Sequence, residues 1–492
     1  MLFNSIDFLI FFPIVLLVYF IIPKKVRYIW LLISSYYFYM NWNPKYAILI
    51  AVSTIVTYLC GILLPKAANH KKLVVATSFI INLAILGFFK YFDFFIDNIN
   101  TLLSSIGHVE ITNRFDIMLP VGISFYTFQA LGYTIDVYRG EIEPERNPLR
   151  YALFVSFFPQ LVAGPIERSK NLLKQLRDIE NIAVWNLERI SNGFILIIWG
   201  LFMKMVLADR MALFVDTIYD EYWLYGSVEL ILATILFTLQ IYCDFASYSI
   251  IAIGAAKVMG FELMENFRAP FFAISIRDHW RRWHISLSTW FKDYLYIPLG
   301  GSRCSKARHY LNIMITFLVS GLWHGASWHY VIWGGLHGLY QVLEMIFDPV
   351  FEKIWTFLHV ERKAFSFRLG QIIRTFSFIV VGFVIFRADN MKAAIDIFKL
   401  IFMRWNPWTL FDGSLYTHGL AYNEIHILLV GIVLLLLVDV IRERKGVCID
   451  TWLRSQNLLF RWIVVWSIVL MIVTYGIYGP GFDASAFIYF QF

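Results

Sequence analysis

Long apolar runs recur along the whole chain and are separated by short polar segments. Runs long enough to cross a bilayer, or nearly so, lie around residues 8–22, 28–42, 46–64, 73–91, 118–135, 150–164, 190–208, 227–243, 310–323, 328–346, 375–387, 425–440 and 460–478. Because a transmembrane helix needs roughly 20 apolar residues, this pattern predicts about 11 to 13 spans. No linker, low-complexity tract or internal repeat separates the runs, so we expect one integral membrane domain over residues 1–492.

Several of these runs are interrupted by Gly and Pro. The clearest are LPVGISFYTFQALGY (residues 119–133) and FFPQLVAGPIER (residues 157–168). Broken backbone at membrane depth is tolerated only where protein buries it or water lines it. We therefore predict an all-α polytopic membrane protein in which re-entrant and amphipathic helices accompany the spans around an internal cavity.

Composition and charge agree with a membrane protein. The 492 residues are 59% hydrophobic and only 16% charged, and the mean hydropathy is +0.63; soluble domains carry about 25% charged residues. The net charge of +7 does not indicate nucleic acid binding, because the basic residues lie in short loops between apolar runs. Such loops face the cytoplasm under the positive-inside rule.

The N-terminal run is predicted to be a retained span with its N-terminus outside. It has no basic residue before the apolar stretch, and Lys24, Lys25 and Arg27 follow directly after it. A secretory signal would show the opposite charge order and a small-residue cleavage site. The second basic loop, with Lys66, Lys71 and Lys72, comes two spans later and so falls on the same, cytoplasmic side.

The stretch RRWHISLSTWFKDYLYIPLGG (residues 281–301) is too polar to span a bilayer and too apolar for an ordinary loop. Drawn as one helix over 280–295, it has an apolar face within about 140°. That face holds Trp280, Trp283, His284, Leu287, Trp290, Phe291, Tyr294 and Leu295. His284 would point inward, either as a core histidine bonded to a backbone carbonyl or as a functional group, and both interpretations remain open.

A second histidine lies in FLVSGLWHGASWHYVIWGGLHGL (residues 317–339), an apolar run. His324 is flanked by Gly321 and Gly325, whose bare backbone would let another molecule approach closely. An ionisable group inside a membrane protein is a functional hypothesis by default. His329 and His337 look more like structural or rim residues.

Metal sites and covalent nucleophiles are not indicated. The pairs His279/His284 and His324/His329 are five residues apart, whereas a helical zinc pair needs i, i+4 spacing. The four cysteines are dispersed and form no CxxC motif, so we expect neither a metal nor a disulfide framework. Neither a GxSxG elbow nor a GxxxxGK[ST] phosphate loop occurs. Buried histidines without a metal or nucleophile suit general-base catalysis by a neutral imidazole.

Asp244, in LQIYCDFASYS, is a further buried polar candidate. It would either orient a histidine or an acceptor hydroxyl, or pair with an arginine such as Arg268 or Arg281. We count Asp244 as a candidate substrate-binding residue, together with Trp283 and Trp323 beside the two histidines and Gly325 after the second.

Taken together, the motifs of this chain resemble those of the membrane-bound O-acyltransferase family, in particular its bacterial polysaccharide O-acetylation branch. The resemblance rests on LPVGISFYTFQALGYTIDVYRG, FFPQLVAGPIER, YCDFASYS, ENFRAPF, DHWRRWHISLSTWFKDYLYIPLGG, SGLWHGASWHYVIWGGLHG and the terminal FIYFQF, in this order. One departure is Ile250, where that branch usually carries an acidic residue or Asn.

The resemblance implies a ring of helices around a central tunnel in a bacterial plasma membrane. It implies that His324 is the catalytic base and that His284 orients the acceptor or polarises the thioester carbonyl. No cofactor would be bound; the acyl donor would be acetyl-CoA or an acyl carrier protein on the cytoplasmic side. Besides membrane lipid, the implied partners are an extracytoplasmic SGNH-type acetyltransferase and a polysaccharide acceptor of the alginate, peptidoglycan or cellulose type.

Two other functions remain alternatives. The same family includes D-alanyl transfer to teichoic acid from a carrier protein. A proton-coupled transporter would use the same intramembrane histidines and aspartates as proton relays, although the missing internal repeat counts against it. The basic loops that hold Arg281, Arg282, Arg303, Lys306 and Arg308 would suit a phosphate-bearing donor or an acidic carrier, but the positive-inside rule alone also accounts for them.

Overall fold

The computed structural model describes residues 1–107, 111 and 119–478, and the terminal motif FIYFQF lies outside them. Within these residues the chain forms helices and no strand, as predicted. The first ten α-helices are α1 Ile6–Ile21, α2 Arg27–Met40, α3 Tyr46–Leu63, α4 Lys71–Leu86, α5 Phe92–Ser105, α6 Ile123–Tyr138, α7 Pro148–Ser156, α8 Phe158–Leu161, α9 Lys174–Arg177 and α10 Leu187–Phe202. The others are α11 Asp209–Asp220, α12 Ser227–Met259, α13 Ile276–Arg282, α14 Ile285–Phe291, α15 Lys306–His324, α16 Trp328–Phe357, α17 Phe365–Arg387, α18 Met391–Met403, α19 Tyr422–Lys445, α20 Ile449–Arg454 and α21 Leu458–Tyr475.

Shorter helical segments extend or connect these helices. The 3₁₀ turns are Lys24–Val26, Leu64–Lys66, Ala68–His70, Ile179–Asn181, Tyr222–Leu224, Pro270–Phe272, Pro407–Leu410 and Ser414–Thr417. Four segments are π-helical: Gly87–Tyr91, Ser169–Leu173, Met203–Ala208 and Lys292–Tyr296. π-Helical turns are rare and often mark functional sites.

Seven helical segments of the described residues are long and apolar enough to cross a membrane. They are Tyr46–Lys66, Ala68–Ser105, Leu187–Asp220, Ser227–Met259, Phe365–Arg387, Tyr422–Lys445 and Leu458–Tyr475. The polytopic membrane fold is thus confirmed. Other predicted spans fall on shorter or more polar helices such as α1, α2 and α15, so the total of 11 to 13 spans stays a prediction.

The chain divides into two compact units. The first comprises Met1–Phe194 with Ala252–Met264, and the second comprises Ile195–Ile251 with Glu265–Phe492. The core of the first unit is aromatic: Phe38 and Phe158 pack at a ring-centroid distance of 5.6 Å, and Tyr133 and Tyr151 at 4.5 Å. The prediction of a single membrane domain is neither confirmed nor contradicted by this division.

The run at 157–168 is interrupted inside protein, as predicted, whereas the run at 119–133 is continuous helix from Ile123 onward and non-helical only at 119–122. Between α7 and α8, Phe158 N–H donates to Ser35 Oγ at 3.1 Å. The Phe154 carbonyl accepts from Gln129 Nε2 at 2.5 Å and from Gln160 Nε2 at 3.1 Å. Side chains therefore replace the hydrogen bonds that the broken helix lacks, which is the condition for irregular backbone at membrane depth.

In the second unit, α15 and α16 form a hairpin whose backbones touch. Gly321 of α15 and Gly334 of α16 face each other so closely that a Cβ on Gly334 would lie 2.9 Å from Gly321 Cα and would also clash with the Phe317 carbonyl. Small residues at four-residue spacing allow such contact between membrane helices. The sequence has this spacing twice here, at Gly321–Gly325 and at Gly334–Gly338. This hairpin carries His324 at the last residue of α15.

Candidate active site

The helix predicted over residues 280–295 is broken in the structure at His284. Helix α13 ends at Arg282, α14 begins at Ile285, and His284 between them has φ 44° and ψ 52°, in the left-handed region. A non-glycine residue rarely adopts this conformation, which costs of order 1–3 kcal/mol and often occurs at functional sites. The prediction of one continuous helix was wrong, although the side chain of His284 is buried as predicted.

The break is caused by hydrogen bonds to a distant part of the chain. Arg268 N–H donates to the Arg282 carbonyl at 2.9 Å, and Ile285 N–H donates to the Asn266 carbonyl at 2.9 Å. The segment around Asn266 thus runs beside the turn at His284 and takes the place of helical hydrogen bonds. A helical wheel cannot reveal such a partner, because the wheel considers only local periodicity.

The His284 side chain lies in an aromatic enclosure. It is 0% exposed, and its ring centroid is 4.6 Å from that of Phe245 and 5.9 Å from that of Trp323. Its Nδ1 lies 3.2 Å from Asn266 Oδ1. The Nδ1 atom of His284 therefore faces the side-chain amide of Asn266.

His324 lies in the same enclosure. It is 4% exposed, and its ring centroid is 4.9 Å from that of Trp323, 5.1 Å from that of Trp333 and 5.8 Å from that of Phe386. The ring centroids of His324 and His284 are 6.5 Å apart. Since a hydrogen bond to an oxygen spans roughly 3 Å, one hydroxyl oxygen can reach both rings. The structure thus brings together the two predicted catalytic histidines and Trp323.

Two further buried histidines, His337 and His279, lie beside His284 and His324, and we call these four residues the histidine cluster. His337 is 1% exposed, with ring centroids 4.9 Å from Trp333 and 5.2 Å from Trp280. His279 is 2% exposed, and its ring stacks on Trp283 at 5.6 Å. Trp283 therefore lies beside His279, and its contact with substrate stays a prediction. Of the two interpretations of His337, structural or rim, burial leaves the structural one, since the residue lies one tryptophan away from His324 inside the protein.

The glycines around His324 serve packing in this structure. A Cβ on Gly325 would clash with the ring of Tyr330, and a Cβ on Gly321 would clash with the Tyr330 carbonyl. The bare backbone of both glycines is thus occupied by α16 and not by space for another molecule, which corrects the expected approach of a ligand at this surface. The predicted contact of Gly325 with substrate is not tested by this geometry.

Asp244 is part of a buried ion cluster. Lys204 Nζ lies 2.6 Å from Asp244 Oδ1 and 2.8 Å from Asp209 Oδ1, and these three residues are 1% to 6% exposed. Lys204 belongs to the π-helical segment Met203–Ala208. Paired charges of this kind can be kept out of water at much lower cost than a lone charge. The ion pair found for Asp244 is thus with a lysine that the sequence analysis did not consider, and a role in substrate binding stays a prediction.

A cavity of about 590 Å³ lies close to the histidine cluster. Trp280 lines it, and so does Ser320, one helical turn before His324 on α15. Basic side chains line it as well: Arg277, Arg281, Lys292 and His309. Its volume is in the range of small-molecule and cofactor pockets, roughly 300–1,000 Å³, and its basic lining suits an anionic ligand.

Two kinds of residue in this site escaped the sequence analysis. Asn266 and Ser286 are 0% exposed and contact His284 or its turn, although ENFRAPF already marked the first as part of a motif. Lys204 would have been detectable as a lysine in the middle of an apolar run. Within the described ranges, no group of three or more His, Cys, Asp or Glu side chains has the arrangement of a metal site.

Comparison with known proteins gives consistent matches. The model of the membrane-bound O-acyltransferase family matches residues 145–386, which include Asn266, His284 and His324. The probable alginate O-acetylase AlgI of Pseudomonas syringae pv. tomato is 37% identical over 421 residues, covering 83% of this chain and 76% of that protein. The peptidoglycan O-acetyltransferase of Helicobacter pylori is 35% identical over 434 residues, covering 81% and 79%. The teichoic acid D-alanyltransferase of Bacillus subtilis is 26% identical over 277 residues, covering 54% and 68%.

Proposed function

Because this chain belongs to the membrane-bound O-acyltransferase family, we propose that it transfers an acetyl group from a cytoplasmic thioester donor towards an extracytoplasmic polysaccharide. It is an O-acetyltransferase of a bacterial membrane. The observation that carries the proposal is the pair of buried histidines with ring centroids 6.5 Å apart inside an aromatic enclosure. The similarity to an alginate O-acetylase and to a peptidoglycan O-acetyltransferase supports one of these two polysaccharides as the acetyl acceptor.

In the proposed reaction His324 acts as the general base. Its neutral imidazole takes the proton from the acceptor hydroxyl while the hydroxyl oxygen attacks the carbonyl carbon of the acetyl thioester. The tetrahedral intermediate collapses when the carbon–sulfur bond breaks. The imidazolium then gives its proton to the departing thiolate, so the products are an O-acetyl ester and a free thiol. The aromatic enclosure limits water and with it hydrolysis of the thioester.

The cavity beside the cluster supports a phosphate-bearing donor. Arg277, Arg281 and Lys292 line it, and Ser320 lies one turn from the proposed base. Acetyl-CoA and the phosphopantetheine arm of an acyl carrier protein share this chemistry: phosphate at one end and a thioester at the other. Lysine and arginine side chains would hold the phosphates by charge-assisted hydrogen bonds, which would leave the thioester end free to reach the histidines beside the cavity.

In the proposed pathway a partner protein carries the acetyl group from this chain to the polysaccharide on the outer side of the membrane. A secreted SGNH-type acetyltransferase would offer a serine hydroxyl to the tunnel and pass the acetyl group on to the polysaccharide. In its absence, the polysaccharide hydroxyl itself would be the attacking group. Either acceptor supplies the one proton that the thiolate needs.

The test compares polysaccharide from cells that carry the wild-type protein, His324→Ala or no protein. Mass spectrometry of the glycan should show O-acetyl groups only with the wild type, at a loss of at least about 100-fold for the variant. His426→Ala, which removes an exposed histidine on α19, is the matched control and should acetylate normally. Membrane abundance and elution in size-exclusion chromatography establish that each variant is folded. Wild-type acetylation by folded His324→Ala would contradict the proposal.

D-Alanyl transfer to teichoic acid is the second candidate, favoured by the match to the Bacillus subtilis enzyme. That match covers 54% of this chain, against 81% and 83% for the two acetylation relatives. Membranes supplied with radiolabelled acetyl-CoA or with a D-alanyl carrier protein distinguish the two donors. A transporter would instead move solute or protons across sealed vesicles and form no acyl product.

A further inference from the structure

Asn266 binds the turn at His284 through both its backbone and its side chain. Its own carbonyl accepts from Ile285 N–H at 2.9 Å. Its side-chain Oδ1 accepts from Ser286 N–H at 3.2 Å and from Ser286 Oγ at 2.9 Å. Its Nδ2 donates to Ser249 Oγ at 3.0 Å. Since Asn266 is 0% exposed, all these bonds form inside the protein.

The bond from Ser286 decides which way the amide of Asn266 is oriented. A backbone N–H can only donate, so the side-chain atom that faces it must be the oxygen. Were the amide rotated by 180°, the two N–H groups would face each other and both would lose their acceptor, at about 1–3 kcal/mol for a buried polar group. The oxygen of Asn266 is therefore the atom 3.2 Å from His284 Nδ1.

The orientation of the amide in turn decides the tautomer of His284. An amide oxygen has no proton to give, so His284 Nδ1 must carry the proton of this hydrogen bond. In a neutral imidazole only one nitrogen is protonated, which leaves Nε2 with a lone pair. We infer that Asn266 is a positioning residue that holds His284 with its proton on Nδ1, so that Nε2 meets the substrates as a hydrogen-bond acceptor.

This inference rests on the proposed function and refines the role of His284 within it. An accepting Nε2 orients the hydroxyl of the acceptor, whereas it cannot donate to the oxygen of the thioester carbonyl. Of the two roles that the family resemblance implied, the geometry selects the first. Because the hydroxyl has a single proton, His284 accepts its hydrogen bond first and orients it, and the O–H then turns to His324, which removes the proton as the oxygen attacks.

The strained backbone of His284 is held by the same asparagine. The left-handed conformation at φ 44° turns the Ile285 and Ser286 N–H groups toward Asn266. One residue thereby sets both the direction of the imidazole and the position of its proton. In metal sites, removing the partner that orients a histidine typically costs roughly 10- to 100-fold in activity, and we expect an effect of this order for Asn266.

The test uses Asn266→Asp and Asn266→Ala in the full-length protein, with acetyl transfer from labelled acetyl-CoA measured across pH 5.5 to pH 9.5. Aspartate keeps an acceptor oxygen for Ser286 and His284 but adds a negative charge that favours the imidazolium. We expect Asn266→Asp to lose at least about tenfold in kcat/KM at pH 7 and to recover at higher pH, because the pH profile moves by about one unit or more. Asn266→Ala should lose kcat by at least about tenfold at every pH.

Asn312→Asp is the matched control, because Asn312 is also 0% exposed and its Nδ2 donates to the Gly301 carbonyl at 3.1 Å. It should keep the wild-type pH profile even where its stability is lower. A folded Asn266→Asp with the wild-type pH profile would overturn the inference. An inactive wild type would overturn the proposed function and not the tautomer.

A spectroscopic measurement decides the matter if both Asn266 variants fail to fold. Solid-state nitrogen-15 NMR of the wild-type protein labelled at histidine distinguishes protonated from unprotonated ring nitrogens. The signal that disappears in His284→Gln should belong to a neutral ring protonated at Nδ1. A His284 signal protonated at Nε2 would contradict the inference independently of activity.

Discussion

Glu167 is a carboxyl group that the first unit buries almost completely. It is 1% exposed, and it accepts hydrogen bonds from Met264 N–H and, at 2.7 Å, from Asn171 Nδ2. Burial raises the pKa of Glu167 from its ordinary value of 4.5 to about 7, although these donors favour the charged form. Desolvation therefore outweighs hydrogen bonding at this position.

The raised pKa of Glu167 predicts a pH dependence of stability. Between pH 4.5 and pH 7 the folded protein holds a proton that the unfolded chain has released, so the free energy of unfolding falls as the pH rises through this window. Thermal unfolding in detergent should show a midpoint that decreases from pH 4.5 to pH 7.5. Glu167→Gln, which keeps an acceptor oxygen for Met264, should remove this component. Glu262→Gln, at an exposed side chain, should keep the wild-type slope; an unchanged slope in Glu167→Gln would refute the prediction.

Sequence alone singles out residues whose chemistry conflicts with their surroundings, and the structure buries one of them, His324, beside His284. His324 was identifiable because an ionisable side chain in an apolar run is costly without a function. Asn266 was not identifiable in the same way, since a polar residue directly after Glu265 and two residues before Arg268 gives no such conflict. Its importance depends on Ser286 and His284, which lie 20 and 18 residues further along the chain.

The hairpin of α15 and α16 depends on its glycines at the level of the element. Gly334→Ala would place a methyl group against the Phe317 carbonyl and 2.9 Å from Gly321 Cα, so the two helices must separate. Overpacking of this kind costs about 1–3 kcal/mol. It would also move Trp333, whose ring packs on His324.

We therefore expect Gly334→Ala to lower both the thermal midpoint and the acetyl-transfer rate. The control is Gly370→Ala in α17, where a new Cβ would meet no atom within 4 Å. In a helix interior that change should be neutral or stabilising, by at most about 1 kcal/mol. If Gly334→Ala behaved like Gly370→Ala in both measurements, the close packing of the hairpin would be contradicted.

Helix existence was easier to predict than helix continuity. The apolar face over residues 280–295 is real, since Trp280, Leu287 and Trp290 are all buried. The break within it was invisible, because it depends on hydrogen bonds from residues 266–268. The break at 157–168 was predictable, since Gly and Pro mark it locally, whereas the Gly132 of the run 119–133 lies inside the unbroken helix α6.

One exposed cysteine can report on which side of the membrane the donor cavity opens. Cys304 is exposed and lies two residues after Ser302, which lines the basic cavity. Cys60 and Cys243 are buried, and Cys448 is partly exposed. If the cavity opens to the cytoplasm, a Cys448→Ser protein should react with a membrane-impermeant maleimide in inverted vesicles and remain unlabelled in intact cells.

The additional substitution Cys304→Ser should abolish that labelling. Labelling of Cys304 in intact cells would place the cavity on the outer side and contradict a cytoplasmic donor.

At the scale of the whole molecule, the membrane class followed directly from hydropathy, since the bilayer itself selects apolar helices. The number of spans did not follow, because short helices inside a membrane protein satisfy the same apolar pattern without crossing.

The C-terminal end of α19 forms ion pairs with two segments next to His284, one around residue 265 and one at the end of α13. Arg442 pairs with Glu265, directly before Asn266, and Glu443 pairs with Arg282, whose carbonyl binds Arg268. Along its length α19 exposes apolar side chains such as Leu429 and Val433. A helix whose apolar length exceeds the hydrocarbon thickness of the bilayer responds to this mismatch by tilting. Since the ion pairs connect α19 to the turn at His284, we expect the acetylation rate in reconstituted vesicles to vary with lipid chain length, and an equal rate in short-chain and long-chain lipids would contradict this coupling.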